Sequence, residues 1–188
     1  MVSEILQYIG GDVRIHAEEA DSMYAGIMID TNNFSSKTGV RTFEAAAFLR
    51  RNGADVTRVK KLFREDAQEY KARADAVSQA EIYRGSFAIS ICDPGGEVES
   101  PTIIGAQAAN ELLNIRGIRA SFVCTPYQGK IFVSARSIDE VNVQVIMEQF
   151  GGGGHMNEAG CQLEGVSAEE SVTIIREALD KQIEEGNL

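Results

Sequence analysis

The chain has 188 residues and a net charge of −10, with 44% hydrophobic and 24% charged residues, the balance of one medium domain or two small ones and not of a disordered chain. That charge disfavours long polyanions as ligands, and no apolar run approaches the ~20 residues needed to cross a bilayer. Three cysteines, Cys92, Cys124 and Cys161, lie far apart with no CxxC pair, so they read as buried thiols of a reducing cytoplasm and exclude a structural zinc site.

Val2 to Ile9 and Glu18 to Ile29 read as short helices, the second with Ala20, Met23 and Ile27 on one stripe. Gly10-Gly11 makes a turn between them, and Val13-Arg14-Ile15 a short extended stretch. Thr42 to Arg51 is an Ala-rich helix stopped by Asn52-Gly53. Asp55 caps a further helix carrying Val59, Leu62 and Phe63. Glu65 to Ala80 is charged and Ala-rich, which predicts a solvent-exposed connecting helix with the boundary between two pieces inside it.

Beyond Ile82 the pattern changes. Ser86 to Cys92 alternates as a strand, and Ile103 to Ile115 is a helix ended by Gly117. Arg119 to Thr125 and Lys130 to Ser134 form a hairpin around Pro126-Tyr127-Gln128-Gly129. Val141 to Phe150 is a helix, Cys161 to Glu164 a short strand, and Ala168 to Glu184 a final amphipathic helix capped by Ser167. Strands interleaved with helices predict a compact α/β module. Charge is uneven along the chain. Ser35 to Gly85 holds 11 Lys/Arg against 7 Asp/Glu, whereas Ile138 to Leu188 holds 2 against 11, so a local basic face for a small anion is compatible with the acidic whole.

Four segments carry candidate chemistry. Gly151-Gly152-Gly153-Gly154-His155 suits a backbone that takes positive φ and approaches a ligand closely, with its N–H groups as an anion cradle and His155 at the mouth. The alternative is a helix C-cap followed by a loop. Asp30, just past a helix and followed by Thr31-Asn32-Asn33-Phe34, can be a metal ligand or a turn residue. Ser35 to Thr42 sets hydroxyls, Lys37, Arg41 and Gly39 before a helix, as an anion-holding loop or an ordinary cap by Thr38 and Thr42. In Ser134-Ala135-Arg136-Ser137, the period of a strand puts Phe132, Ser134 and Arg136 on one face and Ile131, Val133 and Ala135 on the other, core face. Arg136 then offers a fork to phosphate oxygens, or a surface salt bridge.

Gly151 to His155, followed by Asn157-Glu158-Ala159-Gly160, resembles the GGGGH signature of the DHH-associated domain. That domain accompanies the DHH phosphoesterases: RecJ-type nucleases, small-RNA-degrading phosphodiesterases and cyclic di-AMP phosphodiesterases. Asp30, within Gly26-Ile27-Met28-Ile29-Asp30-Thr31, resembles the late aspartate motif, which binds one of two manganese ions. The stretch from Asn33 to Phe43 and the Ser134 to Ser137 segment are similar to those of the membrane-anchored cyclic di-AMP phosphodiesterases.

The resemblance implies a mostly helical remnant of a DHH domain over 1–64, a connecting helix over 65–81 and a compact α/β DHH-associated domain with a mixed sheet over 82–188. It implies cyclic di-AMP or a linear dinucleotide as substrate, cut to linear products or mononucleotides with manganese. Asp30 would be a metal ligand. Gly151, Gly152, Gly153, Gly154, His155, Ser134, Arg136 and Ser137 would hold phosphate, with Lys37, Thr38 and Arg41 adding contacts nearer the metals. The family's histidine- and aspartate-bearing N-terminal motifs have no counterpart here, since the only histidines are His16 and His155. The chain therefore resembles the C-terminal part of such an enzyme, on the cytoplasmic side of any membrane anchor, and is expected to be inactive alone, with Met1 to Leu62 either dimerising through exposed apolar faces or remaining partly mobile. The alternatives are a non-catalytic nucleotide-binding module and a short-RNA or RecJ-like exonuclease fragment.

Overall fold

The computed structural model describes residues 2–9, 14–35, 38–96, 98–138 and 141–186. Its contacts divide it into two units, Met1–Arg64 and Glu65–Leu188.

Among the described residues the first unit is wholly helical: α1 (Val2–Tyr8), α2 (Ala17–Asp30), α3 (Val40–Arg51) and α4 (Val56–Leu62). The α2 stripe buries as its period dictates. Ala20 packs with Leu49 and Ala54, flanked by Met23, Ile27 and Phe48, while Ala25 and Met28 meet Val59. Asp55 caps α4, its side chain accepting from the Thr57 and Arg58 N–H groups. Of the apolar residues in this segment, Val59 is buried whereas Leu62 is 65% exposed. The Gly10-Gly11 turn and Val13 lie outside the described residues.

A buried carboxylate fastens α2 to α4. Asp21 accepts from the Asp55 N–H and from Arg58 Nε, both at 2.6 Å, and Arg58 Nη2 also donates to Gly53 O at 2.7 Å. The Arg58 guanidinium, followed by the Asp55 N–H, holds the Asp21 carboxyl below its ordinary range.

The second unit is built on one six-stranded sheet, order β1-β2-β3-β4-β6-β5. The strands are β1 (Glu81–Tyr83), β2 (Phe87–Ile91), β3 (Ala120–Tyr127), β4 (Lys130–Ser137), β5 (Gly153–His155) and β6 (Glu158–Glu164). Only β2 and β3 pair in parallel, and the link between them is a helix, α6 (Pro101–Leu112), as a parallel crossover requires. The sheet is therefore mixed. The hairpin turn is shorter than its sequence suggested. Pro126 and Tyr127 stay in β3, opposite Ile131 and Lys130, and Gln128 and Gly129 alone turn the chain, both at positive φ, the two-residue geometry that matches strand twist.

Each face of the sheet has its own core. Phe87, Ile89, Phe122, Cys124, Ile131, Val133 and Ala135 pack beneath α7 (Val143–Glu148) and α8 (Ala168–Glu184). On the other face Ala88 and Val123 meet Ile104, Ala108 and Leu112 of α6. The helix α5 (Ala67–Ser78) joins this second core and is no free connector. Ala76 is buried in it with Ala72 alongside, Ser90 Oγ donates to Ala76 O at 2.5 Å, and Arg73 bridges Glu65 and Glu111. Alanines four apart leave one flat stripe on an otherwise charged helix, enough for close seating. Gly105 brings α6 equally close to the sheet, since a Cβ there would overlap Thr125 Oγ1. Burial pushes the thiols of Cys92 and Cys124 up to about 11 and that of Cys161 to about 12; all three are free and buried.

A carboxyl with a depressed folded pKa contributes stability above its unfolded value, about 3.9 for Asp, and loses it as pH falls through the folded value. Thermal unfolding of the first unit, followed by circular dichroism from pH 7 to pH 3, should therefore lose midpoint temperature below about pH 4. Asp21→Asn should lower the midpoint at pH 7 and flatten that acid slope. An unchanged slope in the variant would show that Asp21 is not the titrating tie.

Candidate phosphate-binding site

The α6 helix lies over β3 and β4, and β6 and β5 extend the same face beyond it. The register sets what that face displays. Ser134 pairs with Gly160, which pairs with Gly153; Phe132 pairs with Gln162; Arg136 pairs with Glu158, which pairs with His155. Paired residues point to the same side of a sheet, so these pairings make three parallel rows: an aromatic–amide row, a small-residue floor and a charged row. Over the Phe132–Gln162 row and the Ser134–Gly160 part of the floor opens a cleft of about 430 Å³, lined also by Gly151, Gly152 and Thr102 of α6, with Gly153 just outside its lining.

The four glycines do different work. Gly151, at φ 71°, ends α7 in a Schellman cap: its N–H donates to Glu148 O at 3.1 Å and the Gly152 N–H donates to Met147 O at 3.0 Å. Gly152 is demanded by space, for a Cβ there would collide with Gly160 O and lie 2.5 Å from Cys161 Cβ. Gly154 is tied twice, by φ 150° and by Glu158 O and Ala159 Cα, the latter 2.5 Å from a hypothetical Cβ. Gly153, like Gly151, faces open space, with nothing within 4 Å of such a Cβ, and of the two it alone lacks a positive φ. The expected continuous cradle of positive φ is thus a helix cap running into a short edge strand, because β5 pairs with β6 and a paired strand needs extended backbone.

Arg136 is half-buried one row from the cleft. Its Nη1 donates to Ala135 O at 2.9 Å and Ala159 O at 3.5 Å, while its buried Nε has no partner. Burial pulls its pKa down, partly offset by the Glu158 charge. A cation kept from water with an unused donor is one that a bound anion would stabilise. His155 is exposed at the end of the same row. Ser137 departs from the expected set. Period two turns it to the core side, where it is buried and its Oγ donates to Val141 O at 2.6 Å. Its hydroxyl holds the chain before α7 and does not face the cleft. Thr102, Gly160 and Gln162 are cleft residues that sequence reasoning did not select. Gln162 had a signal, since it alternates with Cys161 and Leu163 and so faces away from the core.

In the first unit, Asp30 is exposed and borders a separate cleft of about 370 Å³ with Thr31, Arg41 and Thr42. Arg41 Nε pairs with Glu4 at 2.6 Å and holds the Glu4 carboxyl below its ordinary range. Thr42 Oγ1 accepts from the Gly39 N–H at 3.3 Å, and Thr38 is half-buried before it. Lys37 lies outside the described residues. Among the described residues no group of three His, Cys, Asp or Glu side chains could hold a metal ion. The Thr31 hydroxyl is committed to Ile27 O at 2.6 Å. Asp30 thus offers one carboxylate, which does not amount to the donor set of a two-manganese centre.

The DHHA1 domain, the DHH-associated domain by its short name, matches residues 85–185, over half of the chain, and the chain belongs to that family. It is 42% identical over 187 residues to the cyclic-di-AMP phosphodiesterase GdpP of Geobacillus thermodenitrificans, covering 99% of this chain and 28% of that protein. It is 40% identical over 182 residues to the cyclic-di-AMP phosphodiesterase PdeA of Listeria monocytogenes, covering 96% and 27%. The chain thus spans little more than a quarter of the length of these relatives. An exopolyphosphatase-related protein from Bacteroides fragilis shares the fold, with a TM-score of 0.77 at 22% identity over 89% of this chain and 51% of that one. No described helix is long and apolar enough to cross a membrane.

The glycines allow a direct check of this geometry. Gly152→Ala should destabilise the second unit by about 1–3 kcal/mol, the usual effect of overpacking. Gly153→Ala should stay within about 0.5 kcal/mol of wild type, as an open surface position does. Denaturant unfolding of the two variants side by side measures the difference, and equal losses would contradict the packing described.

Proposed function

We propose that this chain is the substrate-binding part of a phosphodiesterase acting on cyclic di-AMP or the linear dinucleotide derived from it, and that its cleft grips a phosphate. The observation that carries the proposal is the open Gly153–Gly160–Ser134 floor beside Arg136, a desolvated guanidinium whose Nε has no partner. Phosphate is planar-fork chemistry for arginine and close-approach chemistry for glycine backbone. The similarity to two cyclic-di-AMP phosphodiesterases supports the choice of nucleotide. In this proposal the phosphate held here belongs to the half of the substrate that is not cut, which fixes the position of the half that is. Asp30 contributes one carboxylate toward manganese, with Arg41 and Thr42 lining the same cleft. The hydrolytic step needs ligands beyond the single carboxylate that Asp30 supplies.

Calorimetric titration of cyclic di-AMP and its linear product into this chain tests the assignment. Both should bind the wild type, and Arg136→Ala should weaken binding about ten- to hundredfold, the worth of a hydrogen bond to a charged group. Gly153→Val should weaken it as much while leaving the circular dichroism spectrum unchanged. Wild-type affinity in both variants would overturn the phosphate assignment. With manganese added, release of linear product should stay at background, and turnover by this chain alone would show that it completes a catalytic centre.

A further inference from the structure

Phosphate does not account for the whole cleft. The Phe132–Gln162 row lies one same-face step from the Ser134–Gly160 floor along β4 and β6, about 7 Å at the rise of a strand. Both side chains line the opening. The Phe132 ring is half-buried and braced by Tyr127, with centroids 5.9 Å apart and planes at 57°. Gln162 is exposed, and its amide has no hydrogen-bond partner among the described residues. An apolar ring next to an uncommitted amide, a ribose-length from a phosphate floor, has the composition of a base pocket and not of a second anion site.

At the edge of a base that carries N7, the amide also favours one base. A glutamine presents a donor and an acceptor side by side. Adenine offers the complement, its N6 amino donor next to the N7 acceptor, whereas guanine shows two acceptors, O6 and N7, at the same edge. We propose that Phe132 and Gln162 form the base subsite of this cleft, the ring stacking on the base and the amide selecting adenine. The proposal rests on the phosphate assignment above and adds to it the residues that choose the base. Ring stacking holds any base, since every base has a π face. Discrimination therefore falls to Gln162. Glutamate at that position keeps the size and removes the donor, leaving two acceptors that oppose adenine N7 and accept from the N1–H and N2–H groups of guanine.

Calorimetry with AMP, GMP, cyclic di-AMP and inorganic phosphate separates the two assignments. The wild type should prefer AMP to GMP by about tenfold, at the lower end for one bidentate base contact. Gln162→Glu should erase or reverse that ratio, the repulsion of its added charge being common to AMP, GMP and phosphate. Phe132→Ala should weaken AMP and GMP alike by about tenfold, the loss of one stacked base, while sparing phosphate. Phe132→Leu, which keeps apolar volume without the ring, should show the same loss with wild-type circular dichroism. If Gln162→Glu and Phe132→Leu bind AMP and GMP as the wild type does while Gly153→Val loses phosphate, the base subsite is refuted and the phosphate site stands. If Gly153→Val and Arg136→Ala bind phosphate as the wild type does, both assignments fall together.

Discussion

The second unit's candidate site depends on how closely the glycine segment lies against β6. A side chain at Gly152 would take the volume already held by Gly160 O and Cys161 Cβ, and one at Gly154 would meet Glu158 O and Ala159 Cα. Because neither exists, β5 pairs with β6 as the last strand of the sheet, and the chain leaving α7 descends to the sheet surface within two residues of its cap. That descent brings Gly151 and Gly152 to the lip of the cleft and sets Gly153 in line with Gly160 and Ser134. The glycine run is therefore first a packing device. Any ligand contact at Gly153 is made possible by what Gly152 and Gly154 do on either side of it.

The same sheet face shows why the cleft is open at all. On β3, Ser121 and Val123 are buried, and Ser121 Oγ is tied to Ala109 O of α6 at 2.6 Å. Their partners across the strand pair, Arg136 and Ser134, are only half-buried. Coverage by α6 thus fades within one strand spacing, about 4.8 Å. Arg136 falls at this margin: sheltered enough to lose water from Nε, but unpaired there. A residue fully under α6 would need a built-in partner, and one fully exposed would gain little from an anion.

Much of this fold is local and was legible. Ile131, Val133 and Ala135 alternate with Phe132, Ser134 and Arg136, and the two sets separate onto the core and the cleft faces. Asp55 and Ser167 cap the helices their sequences announce, Ser167 with a full capping box to Glu170. The parts that were not legible depend on register. β1 has three residues and gains its place from partners distant in sequence: Tyr83 OH and the Arg84 guanidinium both reach Asp180 of α8, at 2.8 and 3.0 Å. The resemblance groups Ser137 with Arg136, although one residue along a strand reverses the face. Gly160 and Gln162 join the cleft because β6 pairs with β4 in one register, which no window of a single strand contains. The glycine run suggested positive φ throughout because glycine permits it, whereas Gly152 and Gly153 are set by contact and pairing.

The charge distribution argues for a compact ligand over a long one. Ile138 to Leu188 holds 11 acidic residues against 2 basic, and Glu158 stands in the same row as Arg136 and His155. A polyanion laid along the Arg136 row would pass the Glu158 carboxylate within the screening length, about 8 Å at physiological salt. A dinucleotide need not. In the proposed reading, one phosphate on the Gly153–Gly160–Ser134 floor would lie beside the Arg136 row, and its base would extend away from Glu158, toward Phe132 and Gln162, where no row residue is charged. Glu158 then penalises a phosphate carried across the Arg136 row more than one seated on the floor beside it. An acidic domain with one sheltered arginine can in this way be selective for small nucleotides without any wall to limit their length.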